Sequence, residues 1–213
     1  MPQILFIGPP GAGKGTQAKT LSEKLNIPHI STGAMFREMY SNKSELGVRA
    51  AEEYWLKGNL VPDELTTPLV KERLSYEDCK NGFILDGFPR TLPQAMDLDK
   101  FASLDNVIYL HVPDEMIIKR LGSRRQCKSC GRIYGEFDIA KEGKCCGSDV
   151  YLRNDDKKET VEARLKEYKI KTEPLVRYYL DYGKITPIDG SRDKNKIFEE
   201  ILREVSLPNH YSS

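Results

Sequence analysis

The chain has 213 residues, with 33 Lys and Arg against 32 Asp and Glu, a formal net charge of +1. Charged residues make up 31% and mean hydropathy is −0.54: an ordinary globular composition, long enough for one substantial core with small insertions or for two small domains. A balance this close to neutral gives no reason to expect nucleic acid or an acidic membrane surface as partner, and the apolar run Val107–Val112 is far short of the ~20 residues a membrane span needs.

The first element is an apolar strand, Gln3–Ile7. It breaks into Gly8-Pro9-Pro10-Gly11-Ala12-Gly13-Lys14-Gly15-Thr16 and then into a helical pattern over Lys14–Leu25. A strand, a glycine-rich turn and a helix start build a nest for phosphate. The glycines allow close backbone approach, and the helix adds the positive end of its dipole. Lys14 can reach terminal phosphates, and a hydroxyl can sit near Mg²⁺. The strict pattern places Ser or Thr directly after the lysine; here Gly15 stands there and Thr16 follows.

Further strands are predicted at Pro28–Ser31, Gly82–Asp86, Val107–Val112 and Ile185–Ile188, and helices near Asp63–Leu74, Leu92–Phe101 and Asp114–Arg125. This alternation predicts an α/β fold: a five-stranded parallel sheet, phosphate loop included, with helices on both faces. Pro93 suits a first helical turn, Asp114 an N-cap, and Pro187 an edge strand. Cys79 and His111 read as core-facing, while His29 and His210 carry no signal. A long helical pattern from Lys158 to about Leu180 is expected to bend at Pro174. The segment Lys194–Val205 closes the chain as an amphipathic helix.

Two stretches break the alternation, Ser31–Val61 with two helical patterns and Gln126–Asp156 with no long periodic segment. Both read as insertions at the ligand-binding ends of the strands. Ser31 or Thr32 can cap the helix that opens the first. In the second, Cys127 and Cys130 form a two-thiolate knuckle, and Cys145 and Cys146 are adjacent. The N-terminus shows no secretion signal, so the cysteines read as a structural zinc site rather than disulfides. Its ligands are either the four cysteines, or Cys127, Cys130, one of the adjacent pair and Asp149.

Asp86 ends a buried strand beside the phosphate loop, where a carboxylate can orient Mg²⁺ through its water shell. Arg90, four residues on, can pair with phosphate. Arg120, Arg124 and Arg125 lead into the cysteine segment, and Arg153 and Arg164 lead out.

Together these motifs resemble the adenylate kinases, in the long form with a zinc-bearing lid. The resemblance rests on Gly8–Thr16, Ser31-Thr32-Gly33, Asp86-Gly87-Phe88-Pro89-Arg90-Thr91 and Arg153-Asn154-Asp155-Asp156, and runs over nearly the whole chain. It implies a core of residues 1–30, 62–125 and 157–213, an AMP-binding insertion at 31–61 and a zinc lid at 126–156. It implies the reaction ATP + AMP ⇌ 2 ADP with Mg²⁺, by in-line transfer under a closing lid. By position, Gly11, Ala12, Gly13, Lys14, Gly15 and Thr16 would cradle ATP phosphates. Thr32, Arg37, Asn59, Leu60, Val61, Gly87, Arg90 and Gln94 would bind AMP. Arg124, Arg153 and Arg164 would clamp the transferring group, shared between the two nucleotides, with Lys14, Arg90 and Asp86 at the centre. Tyr134 and Arg192 would lie near the ATP base and ribose.

The expected partners are therefore ATP, AMP and ADP, without nucleic acid or membrane, for a cytoplasmic protein that is a monomer by default. The nearest alternative is another nucleoside monophosphate kinase, with UMP, CMP or GMP as acceptor. A GTPase-like switch would need Asn-Lys-x-Asp, which the sequence lacks. A zinc-ribbon nucleic-acid binder is disfavoured by the near-zero net charge.

Overall fold

The computed structural model describes residues 2–135 and 144–206. Five strands form one parallel sheet: β1 (Gln3–Ile7), β2 (His29–Ser31), β3 (Phe83–Asp86), β4 (Asn106–His111) and, last in the chain, Ile185–Asp189. Between β4 and that last strand come four short strands, β5 (Arg125–Cys127), β6 (Ile133–Tyr134), β7 (Lys144–Cys145) and β8 (Ser148–Tyr151), so Ile185–Asp189 is β9. The order across the large sheet is β2-β3-β1-β4-β9. The chain leaves β1 toward one edge and later returns to the other side. The loop after β1 thus sits at the switch in strand order, where open α/β sheets bind ligands.

Period-two alternation sends side chains to two cores. Ile4, Phe6, Ile84, Ile108 and Leu110 enter one, with Ala18, Leu21, Ile117, Leu121, Ile197 and Ile201 from helices α1 (Lys14–Leu25), α6 (Asp114–Ser123) and α9 (Lys194–Ser206). Leu5, Ile7, Phe83, Leu85 and Val107 enter the other, with Val70, Ala95, Leu98, Leu175 and Tyr179 from α4 (Asp63–Leu74), α5 (Leu92–Leu98) and α8 (Pro174–Asp181). The expected parallel sheet covered on both faces is therefore observed. Pro187 lies on the edge strand β9, where a missing N–H costs no ladder bond on the open side.

Residues 31–61 carry α2 (Thr32–Ser41) and α3 (Glu45–Glu53), then a single 3₁₀ turn over Trp55–Lys57. Ser31 caps α2 by accepting from the Ala34 N–H at 3.4 Å, and Ser44 caps α3 through the Gly47 N–H at 3.1 Å. Gly47 lets the two helices touch, since a Cβ there would lie 2.3 Å from the Met39 carbonyl carbon. This segment has its own small cluster around Phe36, Ala50 and Val61. The four short strands β5 to β8 form the second unit, an antiparallel sheet ordered β6-β5-β8-β7. Its strands are two to four residues long, too short to show as periodicity in the sequence.

Three expectations change. Asp114 is not an N-cap: Pro113 holds that position, and Asp114 with Glu115 occupies the first turn of α6, where carboxylates favour the helix dipole. His111 is exposed at the end of β4 rather than core-facing; its ring lies 3.4 Å from the Tyr109 hydroxyl. The segment after Lys158 is α7 (Lys158–Glu167), a π-helical stretch over Tyr168–Thr172, and α8. Pro174 cannot donate to a preceding carbonyl, and the ladder widens just before it, with Glu173 N–H bonding the Tyr168 carbonyl.

Candidate functional site

The loop after β1 owes its path to glycine. Gly8, Gly11 and Gly13 have φ of 149°, 80° and 98°, and a Cβ on Gly8 would lie 2.5 Å from the Leu110 carbonyl oxygen. No side chain caps α1, and its first turn carries no acidic residue. The N–H groups at its start are left to an anion. Lys14 folds back over the loop, donating Nζ to the carbonyls of Gly8 (2.7 Å) and Pro9 (2.9 Å). Gly15 explains the departure from the strict motif: a Cβ there would meet Asp86 Oδ2 at 3.2 Å.

Asp86 ends β3 directly beside this loop. Burial opposes its charge, but His29, at 3.7 Å, and the Lys14 ammonium outweigh burial and hold the carboxyl at about 2. His29 carried no signal in the sequence. The parallel register places it on β2 opposite Ile84, within reach of the Asp86 carboxylate. Burial lowers Lys14 to about 8; Asp86 works against this, while Arg90, Arg164 and Arg124 add to it.

Gly87, at φ 86°, organises the next turn. Its carbonyl accepts from Thr32 Oγ1 and from Arg90 Nε, both at 2.8 Å. The Gln94 amide is held at both ends: Oε1 accepts from the Arg90 N–H and Nε2 donates to Asp63 Oδ1, each at 2.7 Å. Thr172, in the π-helical stretch, donates to the Arg90 carbonyl at 2.9 Å. Burial lowers Arg90 to about 10, helped by Arg164 and Arg37.

Arg124 Nε donates to Asp156 Oδ2 at 2.7 Å, with a second bond from Nη2 to Oδ1. Arg164 Nη1 reaches Asp156 Oδ1 (3.1 Å), Asp155 Oδ2 (3.0 Å) and the Asp155 carbonyl (2.8 Å). Arg153, itself buried, donates to Gln126 Oε1 at 2.6 Å. Burial lowers Arg153 to about 9, and Arg37 and Arg124 lower it further. Arg37 is likewise lowered by burial. Lys14, Arg37, Arg90, Arg124, Arg153 and Arg164 thus converge on Asp86, Asp155 and Asp156. More cations than carboxylates meet here, Arg153 buried and the others half-buried, an arrangement that is costly without a polyanion to share it. The two aspartates after Asn154 carried no assigned role in the sequence reading. Their signal was the adjacent carboxylate pair next to Arg153.

A cleft opens beside this cluster. Its walls include Thr32, Arg37, Asn59, Leu60, Val61, Gly87, Arg90 and Gln94, the set expected for AMP, together with Arg164. Phe36, Trp55 and Thr66 also line it and were not foreseen. Tyr134 and Arg192, expected near the ATP base and ribose, do not line this cleft. Tyr134 is on β6, and Arg192 pairs with Glu200 and with Asp189 after β9.

In the small sheet the four sulfurs of Cys127, Cys130, Cys145 and Cys146 lie within 4.8 Å of one another. Cys127 to Cys146 is 3.7 Å and Cys130 to Cys145 is 3.5 Å. These are not disulfide separations, and the cysteines are free. A tetrahedral ion with ~2.3 Å bonds to sulfur needs sulfurs ~3.8 Å apart, so the set fits zinc. Asp149 is not in the group: its carboxylate faces Lys128 at 3.4 Å. The adjacent cysteines can both ligate because Cys146 (φ 44°) and Gly147 (φ 78°) turn the chain in the left-handed region.

The adenylate kinase family model matches residues 6–184. Adenylate kinase of Thermosipho africanus is 50% identical over 208 residues, spanning 93% of this chain and 97% of the relative. That of Clostridium tetani is 51% identical over 207 residues (93% and 95%), and that of Archaeoglobus fulgidus 49% over 207 (93% and 95%).

Proposed function

The chain belongs to the adenylate kinase family, and from this premise we propose how its residues carry out ATP + AMP ⇌ 2 ADP. The carrying observation is the cluster of buried and half-buried cations that joins the phosphate loop after β1 to the cleft lined by Thr32, Arg37 and Arg90. Two phosphorylated ligands meet across it.

The N–H groups from Gly11 to Thr16 and the Lys14 ammonium bind the ATP phosphates. The cleft binds AMP, with Arg37 and Arg90 on its phosphate. The acceptor is a phosphate oxygen that is already anionic near neutral pH, so no side chain has to remove a proton. The task left to the protein is positioning and charge stabilisation. Lys14, Arg90, Arg124, Arg153 and Arg164 supply it around the transferring group, in line between donor and acceptor. Asp155 and Asp156 hold Arg124 and Arg164 in place before substrate arrives. Asp86 would hold the Mg²⁺ that comes with ATP through its water shell, with Thr16 near it, and the ion would supply charge neutralisation at the phosphates.

Water must be kept from the phosphoryl group, or ATP is lost to hydrolysis. Residues 31–61 close over AMP and 126–156 over ATP, on a core of 1–30, 62–125 and 157–213. The four cysteines would hold a structural zinc ion. With no open ligand position, that ion staples a sheet too small to have a core of its own. Tyr134 and Arg192 approach the ATP base and ribose when the lid closes. The enzyme acts as a cytoplasmic monomer on ATP, AMP and ADP, with neither nucleic acid nor membrane as partner. No helix among the described residues is long and apolar enough to cross a membrane.

ADP formation from MgATP is measured with AMP, UMP, CMP, GMP or no acceptor. Strong dependence on AMP alone is expected. Turnover with another monophosphate moves the acceptor assignment, and phosphate release without any acceptor overturns the reading.

A further inference from the structure

Several buried side-chain polar atoms have no hydrogen-bond partner among the described residues. Two belong to residues lining the cleft: Trp55 Nε1, a donor, and Asp155 Oδ1, an acceptor. A buried indole N–H normally finds an acceptor, and leaving one unmade is costly. At Trp55 the N–H has lost water without gaining protein.

The chain path puts Trp55 there. Tyr54, at φ −127° and ψ −78°, ends α3, and the following 3₁₀ turn closes on Gly58 at φ 86°. Gly58 packs against α7, where a Cβ would lie 2.9 Å from Ala163 Cβ. The indole is braced from behind by Tyr40, edge-on with ring centroids 5.7 Å apart, and by the cluster around Phe36 and Val61. A rigid ring at the cleft wall with an unpaired donor suits a ligand that brings its own acceptor. The arginines already supply the donors for phosphate, which leaves the base and the ribose.

We propose that Trp55 reads the nucleoside half of AMP, its indole Nε1–H donating to an acceptor on the base or the ribose. The inference rests on the cleft being the AMP site. Trp55 is a binding and specificity residue; it takes no part in phosphoryl transfer.

Trp55 is the sole tryptophan of the chain, so ¹⁵N-labelled full-length protein gives a single indole N–H signal. Saturation with AMP should move that signal downfield and slow its exchange with water. Ribose 5-phosphate separates the two sources: a matching shift assigns the acceptor to the ribose, and a shift with AMP alone assigns it to the base. In calorimetry, Trp55→Phe, which keeps a ring but removes the donor, should weaken AMP binding by about fivefold, the worth of one hydrogen bond. The KM for MgATP should move by less than about twofold, which loss of the fold would not allow. An indole signal unmoved at saturating AMP, or Trp55→Phe binding AMP as tightly as wild type, overturns the role of Trp55 while leaving the AMP site intact. Failure of wild-type protein to bind AMP in calorimetry overturns both.

Discussion

A Cβ placed on Gly15 would stand 3.2 Å from the Asp86 carboxylate, so the glycine after Lys14 is the complement of the aspartate that ends β3. The hydroxyl that usually follows the lysine has moved to Thr16, and the space is left to Asp86. Gly15→Ser should push this carboxylate from its place and lower kcat/KM for MgATP by about tenfold or more. Thermal stability should change little, because among the described residues no other atom beyond the adjoining backbone of α1 lies within 4 Å of that Cβ position. Steady-state kinetics beside a melting curve checks both.

Arg90→Ala should lower kcat by about 10²–10³-fold, the scale for losing a donor to developing charge. The melting temperature of the ligand-free protein should hold or rise. Arg90 is half-buried, and Arg164 and Arg37 repel it, so its removal relieves a partly desolvated cluster with too much positive charge. A large loss of stability with normal turnover would make Arg90 a structural residue.

Asp156 has the opposite sign. Its carboxylate receives Arg124 and Arg164 and its side chain is fully buried. Asp156→Asn leaves two half-buried guanidiniums short of charge and should cost about 3 kcal/mol of stability. Urea denaturation measures it. An unchanged midpoint would show the pairing to be energetically idle.

Lys14 carries a pH dependence. Its folded pKa of about 8 lies below the ordinary lysine value of 10.5, so between those values the unfolded chain binds the extra proton. The contribution of Lys14 therefore makes stability rise with pH across roughly 8 to 10.5, and the cost of burying its charge is felt in full below 8. ATP phosphates favour the ammonium, so nucleotide binding at pH 8.5 should take up part of a proton. Calorimetry in buffers of differing ionisation enthalpy reads that uptake, which Lys14→Met should abolish. Asp86, depressed to about 2, contributes stability above its ordinary pKa of 3.8 that is lost as pH falls through 2.

Zinc held by the four clustered cysteines, as proposed, predicts one equivalent of metal per chain. Cys146→Ser should lower metal content and the melting temperature of the lid. Asp149→Ala should leave the metal content unchanged, since Asp149 faces Lys128 instead. Loss of metal in Asp149→Ala with retention in Cys146→Ser would reverse the ligand assignment.

Much of this molecule is written in local pattern. The period-two apolar strands, the α1 and α4 boundaries, the glycine turn before Lys14 and the paired cysteines are properties of neighbours in sequence, set by sterics and burial that act over a few residues. The same holds for the edge position of Pro187. Other features depend on what lies across a gap in sequence. Cys145 and Asp149 competed for one ligand position until the turn at Cys146 and Gly147 brought all four sulfurs together. His29 had no signal until parallel pairing set β2 beside β3. His111 looked apolar-faced within its strand, but it lies at the strand's exposed end. The π-helical widening before Pro174 became visible only in the hydrogen-bond ladder. Local sterics choose each element, but only the packed chain decides which charges share a partly desolvated space, and the surplus of cations proposed to meet phosphate exists only there.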